Sequence, residues 1–412
     1  MKKKNISQII ITTLIFIVVF SSLGCTSKDD ESGFDPNSNF ETILENAKGQ
    51  TVSFYGWGGN PDLNNWLDNV VAPEVKEKYD ITLNRVPMDI DQILSKLAGE
   101  KQAETSKGSI DLIWINGENF YSTKENDLLF GPISNYLPNY KKYIDKDAYY
   151  ATTDFGYPIN GFEVPYSKAQ MVLINDKAKT PETPKNAKQL MEFAKKYKGK
   201  VTYPAPPDFT GSAFVRNIIC DIVGAEGFEN LKADKEAVRE YISPAISYFK
   251  ELNQYLWNQG KSFPATISQL DNMYSDGELV MTMSYESYQI ALNIEKGLYT
   301  ETSRSFILDK GTIGNTNYMA IAKNSPNKEG ALVVINEILS PKMQSTKYED
   351  CKLLPAIEYD LLTEKDKETF DNIKIGKGII SQDQLLSKQI PEIPAKFVPI
   401  IEEIWLEEVP SK

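Results

Sequence analysis

The chain has 412 residues, with 45 Lys and Arg against 57 Asp and Glu, no His and a formal charge of −12. With 41% of residues hydrophobic and 25% charged, it reads as a globular chain, too long for one common core and divided into two lobes. The lack of His excludes Ser–His–Asp and Cys–His nucleophile chemistry and His-ligated metal sites, and the acidity argues against nucleic acid, whose phosphates need clustered Lys and Arg.

Met1 to Lys4 is a basic start, and residues 9–20 are apolar except for Thr12 and Thr13. That run is shorter than the ~20 residues that span a bilayer, and it has the form of a secretory signal peptide. Ser21-Ser22-Leu23-Gly24-Cys25 resembles a bacterial lipobox, although Ser22 stands where that pattern usually has Leu. Cleavage before Cys25 would make it the lipidated N-terminus, carrying acyl chains such as palmitate. The three lysines lost would take the charge from −12 to −15, so lipid rather than electrostatics would hold the protein at an anionic membrane. Plain secretion with an incidental Cys is the alternative. Cys220 and Cys351 are the other thiols, and their spacing leaves both pairing and separate burial open.

Residues 25–40 are rich in Ser, Asp, Asn and Gly and read as a tether. Alternation predicts a strand over 51–55, broken by Gly56-Trp57-Gly58-Gly59-Asn60-Pro61. A helix over 62–79 follows, interrupted or restarted at Pro73. Then come a strand over 81–86, a helix over 89–104 and a strand over 110–115, which implies parallel crossovers in an α/β sheet. Residues 151–166, rich in Gly, Pro and Tyr, read as a connection between lobes. The second run has a helix over 186–197, a strand over 200–203, a helix over 211–223 and longer helices over 235–257. A short strand at 279–283 and an extended stretch at 312–322 precede a mostly helical C-terminal part.

Ligands of open α/β sheets bind beyond the carboxyl ends of the strands. That rule singles out residues 56–60, 116–119 and 206–211, which would face one cleft from two lobes. Trp57 between glycines offers a π-face to a cation or planar ring. Gly58 allows close backbone approach or unusual φ. Asn60 is a ligand contact or a turn residue. Asn116, Glu118 and Asn119 either cap the next helix or meet the ligand. Asp208, Thr210 and Gly211 offer a helix start suited to an anion, or simple capping. Tyr285 and Glu286, after the strand at 279–283, pair a ring with a carboxylate, which suits a cation. Asn315, Asn317 and Tyr318 follow Gly314 at a return crossing.

The segment Asn324-Ser325-Pro326-Asn327-Lys328-Glu329-Gly330-Ala331, with Val334 to Pro341, resembles the late part of family 1 extracellular solute-binding proteins, the ligand receptors of ABC importers. Phe54 to Gly59, Asp111 to Phe120 and Val201 to Gly211 resemble the YnjB-like branch, related to thiamine, polyamine and iron receptors. The likeness runs from about Gly49 to Pro341. It implies a two-lobed α/β type II periplasmic-binding fold with a hinged cleft, crossed near 166–170 and 311–318. The implied division is signal peptide 1–24, tether 25–45, first lobe 46–165, second lobe 166–311, and a return over 312–412 whose last helices pack on either lobe. It further implies an extracytoplasmic, lipid-anchored monomer that binds a small solute, a thiamine-like or other organic cation above all. The protein would hand it to a permease and its ATPase, with no catalysis, cofactor, metal or nucleic acid. An exported hydrolase with paired carboxylates, or a sensory or adhesive lipoprotein without a transporter, are the alternatives.

Overall fold

A computed structural model describes residues 34–410; the signal peptide, the lipobox and Cys25 lie outside the described residues. Eight strands of four residues or more occur among them: β1 (Thr51–Gly56), β2 (Thr82–Pro87), β3 (Leu112–Ile115), β4 (Glu163–Gln170), β5 (Val172–Asp176), β6 (Met281–Ser284), β7 (Ser303–Phe306) and β8 (Thr312–Ala322). The large sheet has the order β4–β8–β3–β1–β2, with the short strand Leu354–Pro355 outside β4. β1 runs parallel to β2 and β3, as the strand–helix–strand pattern predicts, whereas β8 is antiparallel to β3 and β4. The small sheet is β7–β5–β6 and wholly antiparallel, unlike the second parallel run expected from the sequence.

The two sheets belong to two lobes with separate cores. One core gathers Val52, Phe54, Trp66, Tyr166, Met319 and the helix Lys328–Ile338. The other gathers Leu173, Met191, Tyr203, the helix Phe209–Val223 and Met283. The chain leaves the large sheet at Met171, whose N–H donates to the Ile313 carbonyl, and re-enters it along β8. It crosses a third time beyond Phe370. Ile393, Phe397, Ile401 and Trp405 of the C-terminal segment are buried in the second core. Cys351 lies in the first core and Cys220 in the second, both as buried free thiols.

Local chemistry accounts for the element boundaries. Pro73 does not end its helix. Helices Pro61–Trp66 and Ala72–Tyr79 run on through a π-helical turn, Leu67–Val71, and Pro73 falls in the first turn of the second helix, where a missing N–H is tolerated. Residues 200–203 do not form the expected strand. Their carbonyls are taken by loop donors: Lys200 accepts from Val280 N–H and Val201 from Trp257 N–H. Pro204, Pro206 and Pro207 follow, with no N–H to continue a ladder.

The second lobe is pinned by a buried ion pair. Arg216, from the helix Phe209–Val223, forks onto Glu392, with Nε to Oε2 at 2.9 Å and Nη2 to Oε1 at 2.8 Å. The two side chains are 1% and 2% exposed. Tyr285 donates its hydroxyl to Glu392, Arg216 Nη1 donates to Ser212 Oγ, and Ser212 donates to Glu402. The network ties the helix, the loop after β6 and the C-terminal segment together. Removing one partner leaves a buried, uncompensated charge, so Arg216→Met is expected to cost about 3–5 kcal/mol in urea unfolding. Arg216→Met with Glu392→Leu should recover most of that loss; a double variant as unstable as the single one would contradict the assignment.

Candidate ligand-binding cleft

A cavity opens at the carboxyl ends of β1 and β3, where the strand rule places it. Its walls are Phe54, Gly56, Trp57, Leu63, Leu67, Arg85, Trp114, Tyr166, Ser167, Asn317 and Leu353 from the first lobe and Glu286 from the second. Trp57 is 48% exposed, high for so large an apolar side chain, and stands at the opening. Its indole folds back over its own loop: a Cβ at Gly59 would lie 2.0 Å from the ring, and one at Gly58 would lie 2.6 Å from Pro87 Cβ. These glycines serve close approach; neither has positive φ, so the unusual backbone considered from sequence is absent.

Asn60 takes the structural role, of the two weighed from sequence, and does not line the cavity. Its Oδ1 caps the helix Pro61–Trp66 by accepting from Asp62 and Leu63 N–H, which fixes the amide. Its Nδ2 then reaches across the cleft to Glu286 Oε2 at 3.0 Å. Beside it Lys296 of the second lobe meets Asp62 of the first at 2.5 Å. Two side-chain contacts thus bridge the lobes on this rim.

Glu286 carries the uncompensated charge of the cavity. Enclosure pushes its carboxyl up to about 7, the hydrogen bond from Asn60 opposes this, and Asp62 and Asp271 add to it. Arg85 brings no free charge, because its guanidinium is held by Asp68 at 3.0 and 2.7 Å. A carboxylate among indole and phenol rings, with a neutral amide as its only hydrogen-bonded side chain among the described residues, is complementary to an organic cation.

Amides cluster on one side of the cavity, with Asn317 in its wall and Asn116 and Asn315 outside the lining. Asn317 accepts from Asn116 Nδ2 at 3.0 Å and donates to Ser167 Oγ at 3.2 Å. Asn315 lies two residues before it on β8, is 8% exposed and has neither amide atom hydrogen-bonded among the described residues. Asn116 Oδ1 is buried and unpartnered too, and Asn116 makes no capping bond. Buried amides left open are rare in finished structures and mark places where a ligand or water completes the bonding.

The other predicted residues lie elsewhere. Glu118 Oε2 is unpartnered; burial pushes its carboxyl up to about 7, against the opposing field of Arg216. Asn119 reaches Glu118 at 3.5 Å. Neither they nor residues 208–211 line the cavity. Asp208 is a cap: its oxygens accept from Gly211 N–H and Ile267 N–H, each at 2.9 Å. Thr210 is buried, and Gly211 is needed because a Cβ there would meet the Pro204 carbonyl at 2.2 Å. Tyr285 is locked onto Glu392. Tyr318 is core, 1% exposed, with its hydroxyl donated to the Tyr150 carbonyl. Trp114 and Tyr166 went unrecognised in the sequence. Partly buried Trp114 lies on the face of β3 opposite Ile113 and Ile115, in a strand apolar throughout that gave no periodic signal.

Comparison with known proteins agrees with this geometry. Residues 71–365 match the family model described as bacterial extracellular solute-binding protein. The Escherichia coli K12 protein YnjB is 32% identical over 378 residues, covering 90% of this chain and 93% of its own. A Listeria monocytogenes protein named for spermidine/putrescine ABC transport superposes with a TM-score of 0.61 at 15% identity, over 87% of this chain and 98% of its own. The periplasmic binding protein AfuA of Actinobacillus pleuropneumoniae, with fructose-6-phosphate bound, gives 0.60 at 14% identity over the same shares. These two share the type II periplasmic-binding fold. The family model and the structural neighbours describe substrate-binding transport proteins, not enzymes, and the hydrolase alternative falls. No helix among the described residues is long and apolar enough to cross a membrane. The chain belongs to the bacterial extracellular solute-binding protein family.

Proposed function

We propose that the cargo is a small organic cation, thiamine-like or amine-bearing, clasped between the lobes and handed unchanged to a permease energised by its ATPase. The observation that carries this reading is Glu286, an enclosed carboxylate with no cationic partner among the described residues, in a cavity walled by Trp57, Trp114 and Tyr166. An anionic sugar phosphate finds no free cation there, since Arg85 is engaged by Asp68. A ferric ion finds no group of three or more acidic or Cys ligands among the described residues. In this reading the lobes divide near 166 and 312, the protein acts as a monomer, and Cys25 carries the lipid anchor.

Thiamine and putrescine are the probes. A ligand that binds the folded form alone raises the melting temperature. At least one of them should do so while fructose-6-phosphate does not; the reverse outcome would reject a cationic cargo. Trp57→Ala should weaken cation binding by about 0.5–2 kcal/mol. The half-exposed indole makes no core, so the unliganded melting temperature should hold. An unchanged dissociation constant would remove Trp57 from the site.

The raised carboxyl fixes the sign of the pH dependence. A cation favours ionised Glu286, so binding expels its proton, and affinity should fall about tenfold from pH 8 to pH 6, as a group titrating near 7 requires. Calorimetry in buffers of different ionisation enthalpy should show release of close to one proton at the lower pH. The unliganded fold should behave oppositely. Stability from Glu286 and Glu118 is fully present below the ordinary carboxylate value and is lost as pH rises through about 7. A pH-independent affinity would exclude Glu286 as the counter-charge.

A further inference from the structure

The ladder between β4 and β8 slips at one place. Ser167 pairs with Asn317, yet Pro165 pairs with Tyr318, so Tyr166 is the extra residue of a bulge. Bulges re-aim side chains and recur beside binding sites. The Tyr166 carbonyl is instead capped from the helix Pro341–Cys351: Lys347 Nζ donates to it, and Gln344 Nε2 donates at 3.4 Å. Both donors are 0% exposed. Lys347 Nζ also lies 4.1 Å from the centroid of the Tyr166 ring and 5.7 Å from that of Trp66. Gln344 is itself fixed, donating to the Ile338 carbonyl and accepting from Ala356 N–H.

A buried lysine with no carboxylate at ion-pair distance among the described residues is a costly feature for a fold to keep. Burial drives Lys347 down to about 7. A Met there would fill similar space without that cost, so packing gives no reason for the lysine. Its contacts converge on Tyr166, which lines the cavity, is 1% exposed and has a hydroxyl without a hydrogen-bond partner among the described residues.

We propose that Tyr166 is a specificity-determining residue whose hydroxyl hydrogen-bonds the cargo, and that Lys347 and Gln344 are positioning residues that hold the bulge presenting it. The assignment rests on the cleft reading of the preceding section. A site built to hydrogen-bond its cargo discriminates against analogues lacking that group, because the phenol is otherwise left buried and unpaired.

Thiamine and putrescine again serve as probes, titrated into wild type, Tyr166→Phe, Lys347→Met and the double variant. Tyr166→Phe should weaken binding of the accepted probe about tenfold with the fold intact. Lys347→Met should raise the melting temperature and still weaken binding, a combination that a merely structural lysine would not produce. In the Phe background Lys347→Met should add much less to the loss, because both act through one hydroxyl. A crystal structure of Lys347→Met should show the bulge lost or the Tyr166 ring displaced. Wild-type affinity in Tyr166→Phe would overturn the hydroxyl assignment while leaving the cleft reading standing. Wild-type affinity with an unaltered bulge in Lys347→Met would overturn the positioning role. Failure of both probes to bind wild type would overturn the cationic reading and the hydroxyl assignment with it; the crystal structure of Lys347→Met would still decide what holds the bulge.

Discussion

The pairing of β4 with β8 is the constraint on which the rest of the molecule depends. These two strands are neighbours within the large sheet, and the chain leaves along one and returns along the other. Where they end, Met171 bonds to Ile313 and the small sheet begins. The same ladder supplies Ser167, Asn317 and, through its bulge, Tyr166 to the cavity wall. One hydrogen-bonded ribbon thus joins the lobes and lines part of the cavity. A closing motion would be transmitted to that wall directly, because hinge and wall are continuous backbone.

Charge is handled in two contrasting ways. In the second lobe Arg216 and Glu392 are buried together, fork to fork, with hydroxyls from Tyr285 and Ser212 completing the bonding. That arrangement is balanced and structural. In the cleft Glu286 is enclosed beside a neutral amide, and behind the opposite wall Lys347 is buried without a counter-ion. A fold selected for stability alone would neutralise or remove such groups. Their retention around one cavity is what a site that trades stability for recognition looks like.

The first lobe was largely legible in the sequence because alternation and helical spacing there match ordinary half-buried elements; β1, β2, β8 and the helix Ile90–Gln102 lie close to where the pattern puts them. β4 was not legible. Glu163-Val164-Pro165-Tyr166-Ser167-Lys168-Ala169-Gln170 has no period of two, since both faces are buried and polar and apolar residues are mixed along it. The small sheet was obscured for a related reason: β5 is buried throughout, and β7, Ser-Arg-Ser-Phe, is too short and polar to signal. At the site, Trp57 and Glu286 could be read because each follows a strand end. Tyr166 could not, because a bulge is a property of pairing between segments 150 residues apart, not of either segment alone. The helix start at 208–211 was over-read: its polar atoms are consumed by capping.

The account makes one central claim, that the cleft holds a small organic cation and releases it unaltered. Native mass spectrometry of protein purified from its own cells without denaturation tests this most directly. The account predicts one solute per chain, positively charged at neutral pH, retained by wild type, lost from Glu286→Gln and recovered chemically unchanged after unfolding. A retained sugar phosphate, or a solute held equally well without the Glu286 charge, would contradict it.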